Sequence, residues 1–85
     1  MSADTELART IIGGLLALAN GQPNVSLAMA EAALAGRPGS AHLLDLRARA
    51  LQAGGADRAQ ISRALGDVLR AEPLHVEAHA RQRAV

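Results

Sequence analysis

Leu27-Ala28-Met29-Ala30-Glu31-Ala32-Ala33-Leu34-Ala35-Gly36-Arg37-Pro38 and Ser62-Arg63-Ala64-Leu65-Gly66-Asp67-Val68-Leu69-Arg70-Ala71-Glu72-Pro73 are two versions of one pattern. Each is an apolar run with helical spacing. Each carries an aliphatic pair near its end, Ala33-Leu34 in the first and Val68-Leu69 in the second, with a proline four residues after the pair. Proline lacks the N–H and the backbone freedom that a helix interior needs, so both runs stop in the same way. Pro38 and Pro73 are 35 residues apart, and a recurrence of that length is the mark of stacked helical units.

Composition narrows the possibilities around this pattern. The chain has 85 residues, so one small domain with a thin core is expected. Cysteine is absent, which removes disulfides and thiolate metal sites together. Aromatic residues Phe, Tyr and Trp are absent too, so Leu, Ile, Val, Met and Ala must fill the core, and no aromatic platform for stacking nucleic-acid bases exists. All nine positive residues are Arg, set against eight Asp and Glu, for a formal charge of +1. The signs alternate along the chain and form no block, so neither nucleic acid nor a membrane is an expected partner.

A first helix is expected from Asp4 or Thr5, with Glu6 favourably placed in its first turn. At about 100° per residue, Leu7, Leu18, Ile11, Leu15, Ile12 and Leu16 spread over roughly half of its circumference, more than one neighbour needs. Gly14 lies at the edge of that arc, where a missing side chain lets another helix approach. The run Ile11 to Ala19 also resembles a signal-peptide core, but Asp4 and Glu6 precede it, Gly13-Gly14 interrupts it, and it is too short to span a bilayer. An ordinary first helix in a cytoplasmic protein is the expectation.

Asn20-Gly21-Gln22-Pro23-Asn24 reads as a turn, with Gly21 free to take positive φ. A second helix is expected from Val25 to Ala35. Ser40 should cap a third that reaches Ala53, with Asp45 and Arg49 one turn apart. Gly54-Gly55 ends it. Asp57 followed by Gln60 is a capping-box pattern for a fourth helix, Arg58 to Ala71, whose stripe is Ile61, Leu65, Val68 and Leu69. A fifth helix is expected after Pro73.

Divided in this way, the chain resembles tetratricopeptide-type repeats, which are antiparallel helix pairs of about 34 residues. The matching residues are Gly14, Gly21, Ser26, Ala30, Ala33-Leu34 and Pro38 in the first unit. In the second they are Leu44, Ala48, Leu51, Gly54-Gly55, Leu65, Val68-Leu69 and Pro73. The family's large aromatic positions are aliphatic or alanine here, and Arg47 stands where leucine is usual. The resemblance implies an all-α fold of stacked antiparallel helix hairpins, about five helices in one domain over residues 1–85. The repeats would cover 7–38 and 41–73, with a half-repeat helix over 74–84. It also implies a concave face that binds a peptide or partner protein, lined by His42, Asp45, Arg49 and Gln52 of the third helix with Glu77 and Arg81 of the fifth.

No chemistry-bearing constellation competes with that reading. His75 and His79 share a helix face but lack a third ligand, so no metal and no cofactor are expected. Ser26, Ser40 and Ser62 have no histidine beside them in the sequence, and the glycine pairs lack phosphate-loop spacing. Two functions from different classes remain, neither of them catalytic. One is an adaptor with a peptide groove. The other is an assembly element that forms a homodimer through the uncovered arc of the first helix, Ile11, Ile12, Leu15 and Leu16. In this second role the chain resembles the helical dimerisation region of alkyl-sulfatase-like enzymes, without their metal-binding motif.

Overall fold

The computed structural model describes residues 3–71, with side chains from residue 5 onward. These residues form four helices in chain order: α1 (Ala3–Ala19), α2 (Pro23–Leu34), α3 (Ala41–Ala53) and α4 (Arg58–Ala71). No strand occurs among them. The fifth helix expected after Pro73 lies outside the described residues.

Local chemistry accounts for the breaks. Gly21 has φ 72° and Gly55 φ 79°, a region that side chains disfavour, and these two residues turn the chain after α1 and after α3. Pro23 opens α2 two residues earlier than Val25, at the first helical position, where its missing N–H would have no helical partner anyway. Ser40 Oγ accepts the Leu43 N–H at 3.3 Å at the start of α3. Asp57 Oδ1 accepts the Gln60 N–H at 2.8 Å ahead of α4. Each cap satisfies one donor that the helix start leaves open.

Each helix packs chiefly on its neighbour in sequence, and α3 also touches α1, so α3 is the central element. The main core joins Leu34 of α2, Leu43, Leu44 and Ala48 of α3, and Ile61, Ala64, Leu65 and Val68 of α4. Leu7, Ile11, Leu51 and Leu69 pack partly buried around it. Buried alanines at Ala17, Ala30, Ala48, Ala50 and Ala64 lack the bulk that would hold the helices apart.

The two glycines of α1 have separate duties. A Cβ on Gly14 would lie 2.5 Å from Leu46 Cδ2 and 3.0 Å from Cδ1, so Gly14 admits α3. Gly13 serves the crossing within the first hairpin, with Met29 Cε 2.7 Å from where its Cβ would be.

Ser26 sits one turn inside α2 and is 0% exposed, the only buried polar residue among the described ones. Its Oγ has no hydrogen-bond partner there. A hydroxyl taken out of water without a partner destabilises the fold. Ser26→Ala keeps the packing, removes the stranded group and improves helix propensity. It is expected to raise stability by about 1 kcal/mol, measured as a higher urea midpoint at unchanged slope.

Candidate partner-binding site

α1 and α3 lie side by side and leave a cleft of about 200 Å³ between them. Ile11 and Leu15 line it from α1, and His42, Asp45, Leu46 and Arg49 from α3. The α3 residues meet there because 42, 45, 46 and 49 are spaced by one helical turn and share a face. Leu46 is buried under Gly14 and forms the floor. Asp45 Oδ2 accepts the Arg49 Nε–H at 2.9 Å, which fixes both heads along one wall. His42 is exposed at the rim. An apolar floor with a charged, hydrogen-bonding rim suits an apolar side chain carried on a polar backbone.

The residues singled out from the sequence divide as follows. His42, Asp45 and Arg49 line the cleft. Gln52 is exposed further along α3, beyond the lining residues. Glu77 and Arg81 lie outside the described residues, as do His75 and His79. Of the four apolar residues of α1, Ile11 is half-buried against the core and Leu15 is 43% exposed in the cleft. Ile12 and Leu16 are the most exposed large apolar residues described, at 58% and 59%.

A charged cluster on the other side of α3 was not anticipated. Arg47 Nη2 donates to Asp67 Oδ2 at 2.6 Å, tying α3 to α4, and Arg70 donates to the other oxygen of the same carboxylate. Arg47 Nε is buried without a partner among the described residues. The signal in the sequence was Arg47 set between the apolar Leu46 and Ala48 of α3, with Asp67 inside α4.

A wider cleft of about 310 Å³ lies at the turn end, lined by Pro23, Asn24, Leu27, Ala50, Leu51 and the Gly54 turn. It contains no titratable side chain. No group of three or more His, Asp or Glu that could hold a metal ion occurs among the described residues. No described helix is long and apolar enough to cross a membrane. No protein-family model, no curated protein and no solved structure matches the chain.

Proposed function

We propose that this chain is a non-catalytic, cytoplasmic protein–protein interaction module, a divergent tetratricopeptide-like stack that holds a peptide or partner protein in the cleft between α1 and α3 and self-associates through its apolar first helix. The proposed units are the hairpins over 7–38 and 41–73; the half-repeat helix expected over 74–84 lies outside the described residues. The order of contacts supports the stack, since α3 packs on α2 before it, α4 after it and α1 beside it. The observation that carries the binding role is the make-up of that cleft. Two exposed or half-exposed aliphatic side chains of one helix face an ordered Asp45–Arg49 pair of the other across an open space.

Of the hydroxyls, Ser26 is sealed in the interior and Ser40 Oγ accepts at the α3 cap.

A displayed random-peptide library panned against the full chain tests the binding role. Enriched peptides are expected to carry an apolar residue flanked by charge. Arg49→Glu, which reverses the charge of one wall, should weaken their binding about tenfold or more. Arg63→Glu, on the exposed side of α4, should leave it within about twofold. Equal binding by both variants would move the site away from α3.

A further inference from the structure

Residues 10–30 contain no charged side chain, and this stretch supplies most of α1, the first turn and most of α2. Some of its apolar residues are spent on the core, but not all. Gly14 marks the side of α1 that meets α3, and Ile12 and Leu16 each sit about 160° around the helix from it. Leu34 marks the side of α2 that meets α3, and Val25 and Ala32 sit about 180° and 160° from it. Val25 is 41% exposed, and Ala28 and Ala32 are exposed beside it. Met29 joins the two strips, its tip lying over Gly13. Among the described residues, the first hairpin therefore presents one continuous apolar face, turned away from α3 and α4. All four large apolar residues that are exposed among those described, Ile12, Leu15, Leu16 and Val25, belong to this hairpin.

We infer that this outer face of α1 and α2 binds the same face of a second copy about a two-fold axis. The inference rests on the self-association part of the function proposed above, and it adds α2 to the interface while leaving the α1–α3 cleft open.

Charge argues for a second copy. The face offers no charged group between Glu6 and Arg9 at one edge and the turn at the other, so an oppositely charged partner gains nothing from it. On the far side of the molecule, α3 and α4 carry Arg47, Asp67 and Arg70, and burying that cluster against an apolar face would strand it. Among the described residues, the surface that matches the face is the face itself, and a self-matching patch closes as an isologous dimer.

Area argues the same way. α1 alone is a strip about 25 Å long and 10 Å wide, well short of the roughly 800 Å² per partner of a stable interface. With α2 beside it the width doubles, and a corrugated face of that size approaches the lower limit for a specific dimer. A dimer through α1 only would bury about half as much.

Sedimentation velocity on the full chain at about 100 µM is the test, with far-UV circular dichroism on every variant to verify folding. Wild type is expected at twice the 8.7 kDa chain mass. Leu16→Glu on α1 and Val25→Glu on α2 each place a charge in the interface twice by symmetry. Both should raise the dissociation constant roughly 100-fold or more and give monomer. Ala32→Glu on the same face of α2 stands in if Val25→Glu does not fold, while Leu15→Glu, in the cleft, should remain dimeric.

Folded α2 variants that stay dimeric would overturn the proposed face. Loss of the dimer on Leu15→Glu alone would overturn it as well, but would leave self-association through α1 standing. A monomeric wild type would remove both. Species that grow with concentration would overturn the two-fold arrangement.

Discussion

Leu65→Ala is expected to lower the melting temperature by about 15 °C, the largest loss from any single truncation in α4. Leu65 is 0% exposed and sits in the cluster where α2, α3 and α4 meet. Removing its isobutyl tip forfeits the burial of those carbons and leaves a void that three helices cannot all close on. Together these effects cost about 3 kcal/mol. A domain of this size has only about 4 to 13 kcal/mol in total, and each kilocalorie is worth about 4 to 8 °C. Arg63→Ala, on the exposed side of the same helix, should stay within about 0.5 kcal/mol. Thermal scans by circular dichroism compare the two directly. Equal melting curves would mean that α4 turns another side to α3.

Gly14→Val is expected to be as damaging, for the opposite reason. The first added carbon alone would lie 2.5 Å from Leu46 Cδ2 and 3.2 Å from its Cγ. Leu46 is 2% exposed and packed directly beneath Gly14, so the added methyl groups push α1 away from α3. Overpacking of this kind costs about 3 kcal/mol. Gly14→Ala is milder at about 1 kcal/mol, since the gain in helix propensity offsets part of the clash. Gly13→Ala is the informative contrast. Its new carbon meets the tip of half-exposed Met29, a flexible side chain that can move aside, so the propensity gain should win and stability should rise slightly. Urea titrations of the three variants give the ranking. A Gly14→Val protein as stable as wild type would remove the close α1–α3 approach.

Those paired glycines also mark where sequence reading stops. Periodicity placed Gly14 at the edge of an apolar arc, but it cannot say which helix fills the space beside that edge. The caps at Ser40 and Asp57, the turn at Gly21 and the span Arg58–Ala71 were legible, because each depends on atoms within four residues of one another. The Arg47–Asp67 pair joins residues twenty apart, and its existence depends on how α3 and α4 are rotated against each other. That Ser26 is enclosed without a partner was not legible for a different reason. Serine is close to alanine in volume, and periodicity alone does not show which small residue of α2 loses its contact with water.

The cleft between α1 and α3 was half legible. His42, Asp45 and Arg49 share a face by spacing alone, so their grouping followed from the helix. That Ile11 and Leu15 close the other side of the cleft is a tertiary fact. It divides the apolar arc of α1 into one edge committed to the cleft and another, at Ile12 and Leu16, turned outward with Val25.

The order in which the helices touch bears on how quickly the chain reaches this arrangement. Apart from α1 against α3, the principal contacts join elements adjacent in sequence, so each forms by closing a short loop, with little entropy to overcome before packing rewards it. Chains wired so locally fold in microseconds to milliseconds. The α1–α3 contact joins the elements furthest apart in sequence among these. Mutations at Gly14 should therefore register mainly as faster unfolding, while those at Leu65 should also slow the forward reaction.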